Sequence, residues 1–279
     1  MAQNMHRIFH VNKWAEIGLH MVDDDMDELV MMRINVGGGR TEHLLSWHDK
    51  FRMKLPVRQQ GGRACCWALV ATDLVSYQLR QADIKYHKHR AAPQELIDMV
   101  DHARYPRYVR NRVWNHGCCG ASVLLGLNYI RMHGIALEAN YPFVRRRQNV
   151  NIENIPKQTR ITIDAVHSME KYSLERIKAV IRKHPVAGRI RPFESLKRWR
   201  GDATAGKIYM KHVLVEGDKE PEVNHAVVIT GYGVDADGVE YYIIKNSWGR
   251  KWGVDGYAKV SIDLVTPTVY PLGVRLVSD

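Results

Sequence analysis

The stretch RQQGGRACCWALVATD, residues 58–73, sets two adjacent thiols, Cys65 and Cys66, between a glycine turn and an apolar run with helical spacing. A cysteine at a helix N-terminus can serve as a nucleophile, because the unsatisfied N–H groups and the macrodipole there favour thiolate over thiol. Packing, metal ligation and disulfide formation are the other roles open to such a pair. A nucleophile needs a base, and one stands far downstream. The strands VNHAVVITGY (223–232) and VEYYIIKNSW (239–248) flank GVDADG, a Gly/Asp loop suited to a hairpin. With Tyr232 facing Val239, His225 falls opposite Asn246, close enough for an amide oxygen to accept from an imidazole N–H. A histidine oriented by an asparagine, together with a thiol at a helix start, is a constellation suited to acyl transfer through a cysteine. Cys65 lies about 100° around the helix from Cys66 and is expected to point elsewhere.

The elements that must hold these groups change character along the chain. CWALVATDLVSYQLR carries apolar residues at helical spacing, PQELIDMVD opens with Pro93 near a first turn, and GASVLLGLNYIRMHG stops at Gly134. From RITIDAV through HAVVITGYG, EYYIIKNSW and GYAKVSI the sequence turns β-branched and aromatic. A helical half followed by a strand-rich half predicts an α+β protein of two lobes with a cleft between them. Residues 1–43 read as a separate N-terminal extension, with a helical-looking MDELVMMRI and a flexible break at Gly37-Gly38-Gly39.

These segments resemble the papain-like cysteine proteases, plant papains and cathepsins among them. PVRQQGGRACCWA is similar to their nucleophile segment, NHGCCGA with LNYIRMHGIALEANYPF to their mid-lobe segment, and NHAVVITGYG with YYIIKNSWGRKWGVDGYAKV to their histidine and asparagine segments. The resemblance implies a mainly helical lobe over 44–160, a β-barrel-like lobe over 161–279 and an active-site cleft between the two. It assigns Cys66 as nucleophile, His225 as general base and acid, Asn246 as its orienter and Gln60 as the side-chain donor of the oxyanion hole. Trp248 resembles the indole that shields the histidine–asparagine bond, with Trp252 behind it. Gly120, Ala121, Arg189, Ala226 and Trp248 fall where relatives contact substrate, Arg189 on the wall of a pocket that is usually small and apolar. The implied activity is endopeptidase cleavage through a thioester acyl-enzyme, with peptide or protein substrates, cystatin-like inhibitors as partners, and neither cofactor nor metal. The competing reading is a papain-fold protein that binds peptides or inhibitors without efficient turnover.

Several positions depart from the family. Relatives read C-G-S-C-W where this chain has Arg63-Ala64-Cys65-Cys66-Trp67, so Arg63 replaces a disulfide cysteine and Ala64 a glycine near the oxyanion hole. Met99 replaces a second bridging cysteine, and Ala121 stands in a Gly-Gly pair that binds the substrate backbone. A methyl at Ala64 or Ala121 is expected to crowd the cleft. Four cysteines in two vicinal pairs, with no signal peptide or membrane span in evidence, favour a reducing, cytoplasmic compartment; relatives are lysosomal, vacuolar or extracellular. Of the 279 residues, 45% are hydrophobic and 25% charged, ordinary for a globular chain. The net charge of +11 and the arginine–aromatic run RYPRYVRNRVW (104–114) raise a nucleic-acid surface, but no recognised binding motif accompanies them.

Overall fold

The computed structural model describes residues 32–37, 40–47, 54–101, 103–106, 117–200, 207–210, 220–221 and 223–278. Its first elements are β1 (Met32–Gly37), β2 (Arg40–Ser46), α1 (Cys66–Ala82), α2 (Pro93–Met99), α3 (Val123–His133), β3 (Ile135–Ala136), β4 (Arg160–Thr162) and β5 (Ala165–Ser168). There follow α4 (Leu174–Lys183), β6 (Val186–Ile190), α5 (Glu194–Lys197), β7 (Ile208–Tyr209), β8 (His225–Val234), β9 (Glu240–Lys245), β10 (Tyr257–Ser261), β11 (Val265–Pro267), β12 (Val269–Leu272) and β13 (Arg275–Val277). The chain divides into two compact units. Among the described residues, the helical unit comprises 62–167 and 270–278, and the sheet unit 32–61 and 168–269.

The helical unit is built around α1. Every residue from Trp67 to Leu79 is buried, so the helix is enclosed on all sides rather than amphipathic. Three of its polar side chains are hydrogen-bonded: the Thr72 and Ser76 hydroxyls donate back to the carbonyls of Ala68 and Thr72, and Gln78 Nε2 donates to the Pro271 carbonyl at 2.6 Å. Pro93 opens α2 as its first-turn residue, while Ser122 caps α3 by accepting from Leu125 N–H.

Three acidic residues on or beside α2 are buried: Glu95, Asp98 and Asp101. Glu95 accepts from Tyr129 Oη at 3.1 Å, Ala136 N at 2.9 Å and Arg160 Nη2 at 2.5 Å. Asp98 accepts from Gln94, Tyr141 and the Gln148 backbone, and Asp101 pairs with Arg104 and Arg147. Burial raises the Asp98 pKa, and these hydrogen bonds oppose the rise. No disulfide joins the four cysteines. A polar lattice centred on the helix that carries Met99 thus ties the loops of this unit together.

The sheet unit centres on β8. Its ladder runs β1-β2-β8-β9-β10-β7, with β6 also on β8 and β11 on β6. One edge of β8 is shared: β6 pairs with 225–229 and β2 with 231–234. Among the described strands the sheet does not close on itself, which corrects the barrel-like expectation to an open, branched sheet. The branch depends on Gly231, where an added Cβ would sit 2.1 Å from the Leu45 carbonyl oxygen. Tyr241, Ile243 and Tyr257 form an apolar cluster backed by Val57 and Ile208. The strand-rich half also holds a helix, α4, capped by Ser173, and Trp47 Nε1 donates to the Ile181 carbonyl at its end.

Residues 32–37 and 40–46 are strands, not the helix expected of MDELVMMRI; the part of that segment before Met32, and Gly38 and Gly39 of the expected break, lie outside the described residues. β2 completes the edge of β8, so these residues belong to the sheet rather than to a detached extension. Likewise 44–61 group with the sheet unit, and 270–278 return to the helical unit, where β13 pairs with β4. Most of the run 104–114 also lies outside the described residues. No helix among the described residues is long and apolar enough to cross a membrane.

Candidate active site

The histidine half-site lies in the sheet unit. His225 opens β8 and is buried, and its Nε2 stands 2.7 Å from Asn246 Oδ1. Ser247 N–H also donates to Asn246 Oδ1, at 2.7 Å. A backbone amide can only donate, so the oxygen of Asn246 faces both groups and His225 Nε2 carries the proton. In the neutral ring Nδ1 is then the basic nitrogen. Burial pushes the imidazole pKa down to about 4, and the Asn246 hydrogen bond works against that shift.

The contact arises from a different register than the sequence suggests. Tyr232 pairs with Tyr242 and Val234 with Glu240, so the strands run further toward the turn and the loop is shorter than a pairing of Tyr232 with Val239 would leave. A bulge between Ile229 and Gly231 then shifts the ladder, so that Val228 faces Lys245. Continued past the end of β9, that register places His225 across from Trp248, with Asn246 as the diagonal neighbour on the same face. Diagonal neighbours remain within reach of aromatic side chains. The rings of His225 and Trp248 stack at 4.5 Å with 24° between planes, and Trp252 meets Trp248 edge-on at 5.6 Å. Trp252 is fixed in turn by a 2.7 Å hydrogen bond from Nε1 to the Leu196 carbonyl.

Gln60 also belongs to the sheet unit. Its backbone N–H donates to the Ser247 carbonyl at 2.8 Å, and its Oε1 accepts from the Ser247 hydroxyl at 2.5 Å. That bond turns the amide so that Nε2, the donor end, points away from Ser247. Ser247 was not singled out from sequence, yet it orients both Asn246 and Gln60. No periodicity or charge pattern marks it; its position between Asn246 and Trp248 is its only signal. Gly256 completes the support: its carbonyl accepts from Asn246 N–H at 3.0 Å, and at φ +87° a Cβ there would lie 2.4 Å from Val57.

The thiol half-site lies in the helical unit. Cys66 begins α1, Cys65 is its N-cap with no side-chain capping bond, and no acidic residue occupies the first turn. The positive end of the helix is therefore uncompensated by neighbouring carboxylates of that turn. The vicinal thiols differ sharply. Cys65 is fully buried, and burial, with the nearby Cys118 and Cys66 thiols, pushes its pKa well above the ordinary thiol range. Cys118 is raised by burial to about 11. Cys66 keeps part of its surface exposed. Trp67 Nε1 fixes the turn by donating to both the Ala64 carbonyl (3.1 Å) and the Cys119 carbonyl (3.0 Å).

The remaining positions singled out from sequence fall as follows. Gly120 is exposed and Ala121 half-buried, both alongside this turn; a Cβ on Gly120 would meet the Ala64 methyl at 4.0 Å, ordinary van der Waals separation. The Ala64 methyl therefore leaves room at Gly120. In the sheet unit Arg189 pairs directly with Ala226 and Ile190 with His225. Strand alternation puts exposed Arg189 and half-buried Ala226 on one face of that ladder and His225 on the other.

Comparison with known proteins places the chain. The family described as "Papain family cysteine protease" matches residues 44–266. Cathepsin Q of Rattus norvegicus is 30% identical over 211 residues, 74% of this chain and 55% of that protein. Peptidase 1 of Dermatophagoides pteronyssinus is 29% identical over 236 residues, covering 81% and 64%. The chain thus spans between about half and two thirds of the length of these curated relatives. Among solved structures, bromelain from Ananas comosus superposes with a TM-score of 0.62 at 20% identity, over 82% of this chain and 98% of that one. The ragweed pollen protease Amb a 11 in its proform gives 0.62 at 24% identity, over 82% and 65%. With four-fifths of its length matched, over a span that includes Cys66, His225 and Asn246, the chain belongs to the papain family of cysteine proteases.

Proposed function

We propose that the protein is a cysteine endopeptidase acting on peptide or protein substrates, with Cys66 as nucleophile and His225 as its base. The observation that carries this reading is the His225–Asn246–Ser247 arrangement, which fixes the imidazole tautomer with Nδ1 as the basic nitrogen. The uncapped start of α1 at Cys66 and the family membership support it from the other unit. In the proposed reaction the Cys66 thiolate attacks the scissile carbonyl carbon, whose oxygen takes up the negative charge. Gln60 Nε2 and the Cys66 backbone N–H donate to that oxygen. The proton carried on His225 Nδ1 passes to the leaving amine as the C–N bond breaks, leaving a thioester. Water then gives a proton to Nδ1 and attacks the thioester, releasing the acid and the thiolate. Cystatin-like inhibitors would compete for the same residues, and the bridge-free cysteines suit a reducing, cytoplasmic compartment.

An iodoacetamide or epoxysuccinyl probe at mildly acidic pH, followed by peptide mapping, tests the assignment. A single labelled site at Cys66, lost in His225→Ala, together with peptide turnover, is the expected result. Labelling without turnover would favour a peptide-binding protein instead, and label spread over all four cysteines would remove the nucleophile assignment.

A further inference from the structure

The run IKYHKHR, residues 84–90, takes no part in either half-site and concentrates cations at the end of a short 3-10 helix, Ile84–Lys88. It forms one wall of a surface hollow of about 480 Å³ in the helical unit, lined by Lys88, His89, Arg90, Leu137, Glu138, Pro142 and Phe143 among others. The walls are tied together. Glu138 N–H donates to the Arg90 carbonyl at 2.7 Å, Ala91 bridges to Leu137, and Arg90 Nε pairs with Glu138 at 3.2 Å. His89 is held by its own N–H to the Tyr86 carbonyl at 2.9 Å and by an edge-on contact with the Tyr86 ring at 5.5 Å.

Charge accounting leaves an imbalance. Lys85 is neutralised by Asp83 and Arg90 by Glu138. Lys88 is exposed and has no acidic partner among the described residues, and His89 Nδ1 is a buried nitrogen with no hydrogen-bond partner there. A buried nitrogen without a partner is costly, whereas the exposed Lys88 ammonium is hydrated and can exchange that water for a carboxylate. The rest of the lining, Leu137, Pro142 and Phe143, is apolar.

We propose that this hollow docks an acidic peptide segment of a partner protein: one carboxylate to Lys88 and His89, with an adjacent apolar side chain on Leu137, Pro142 and Phe143. The shape favours a peptide over nucleic acid. The uncompensated charge gathers at one hollow rather than along a track of phosphates, and Leu137, Pro142 and Phe143 offer apolar surface that suits a side chain. The site is separate from Cys66 and His225, and its occupancy does not depend on turnover.

Fluorescence polarisation with a fluorescein-labelled peptide, Ser-Phe-Glu-Asp-Phe-Glu, on the full chain carrying Cys66→Ala keeps the probe intact. Saturable binding is expected, weakened at least about tenfold by Lys88→Glu or by replacing the acidic residues of the peptide with their amides. Phe143→Ser should weaken binding as well, while Lys85→Glu, the same charge change at a position outside the hollow, should leave it within about twofold. Lys88→Ala, at an exposed position, repeats the measurement should the charge reversal disturb folding. Equal loss from Lys85→Glu and Lys88→Glu would reduce the effect to net charge and overturn the proposal. So would equal binding of the amide peptide, or a single-stranded oligonucleotide that binds more tightly and loses its affinity in Lys88→Glu.

Discussion

The two units prepare their reactive groups by opposite means. In the helical unit the thiol is placed by backbone: Cys66 owes its position to the start of an enclosed helix, and no side-chain capping bond fixes that start. In the sheet unit the imidazole is placed by side chains, through Asn246, Ser247 and the Trp248 face. A backbone-set group tolerates substitution around it, as the change to Ala64-Cys65 shows, because the N-terminal N–H groups are present in any sequence that starts a helix there. A side-chain-set group depends on each partner. Sequence variation in the nucleophile segment therefore weighs less against function than an equal variation at 246–248 would.

The largest test removes one group from each unit. Under the proposed mechanism, Cys66→Ala and His225→Ala should each lower kcat/KM by at least about 10³-fold, while Cys65→Ala lowers it by no more than a few-fold. Comparable loss from Cys65→Ala would break the contrast between the two thiols.

Next in size is Gln60→Ala, expected to reduce kcat by about 10²–10³-fold with KM little changed, as for an oxyanion-hole donor. Ser247→Ala should cost less, roughly tenfold, since it orients Gln60 without touching substrate, and Gln60→Ala/Ser247→Ala should be no worse than Gln60→Ala alone by that route. An additive double variant would show that the Ser247 hydroxyl acts by a route other than Gln60, since its backbone N–H to Asn246 is kept in alanine.

A smaller but sharper measurement is the titration of His225 followed by NMR. In Cys66→Ala, burial lowers the ring and the Asn246 hydrogen bond opposes it, so its midpoint should lie at about 4. A thiolate partner stabilises the imidazolium, so with Cys66 intact the midpoint should move upward. For Cys66→Ala, where the folded pKa lies below that of the unfolded chain, this histidine removes stability as pH falls from about 6.5 toward the folded value. Equal midpoints in the two proteins would mean that the units do not share an ion pair.

The smallest expected effect is that of reductant. With no cysteine bridge in place and the α2 carboxylates tying the loops of the helical unit, the melting temperature should be nearly the same with and without excess thiol. The contrast is Glu95→Ala, which leaves Arg160 without its buried carboxylate and should cost about 3–5 kcal/mol.

Much of this was legible in sequence where local rules decide. The three helices of the first half follow from apolar spacing, Pro93 and Gly134, and the hairpin follows from β-branched runs around a Gly/Asp loop. Its register did not follow, because the bulge beside Gly231 answers to the approach of β2, a segment nearly 190 residues earlier, and no local pattern reports such a contact. Nor did the strands at 32–37 and 40–46: MDELVMMRI is compatible with a helix in isolation, and its described residues, Met32–Ile34, become strand by pairing with Glu42–Leu44 of β2, which is itself held on the edge of β8. Ser247 stayed hidden because its work is done through two hydrogen bonds to residues distant in sequence or adjacent by chance of the turn. The buried carboxylates of α2 read as an ordinary charged helix face until Arg160, Arg147 and Tyr141 are brought to them.

The junction at Gly231 bears on how the protein can be handled. The family match begins at residue 44, inside β2, and ends at 266, inside β11. A chain trimmed to those limits would lose β1 and residues 40–43 of β2, leaving a three-residue stub, Leu44–Ser46, on 231–233 of β8 and Val234 without its His43 partner. A stub of that length at a chain terminus frays, and the edge it then uncovers over 231–234, which contains Tyr and Val and no charged residue, is a template for pairing with another copy. Loss of soluble yield on such trimming would be a consequence of self-association along β8, and it would arise without any change to Cys66, His225 or Asn246.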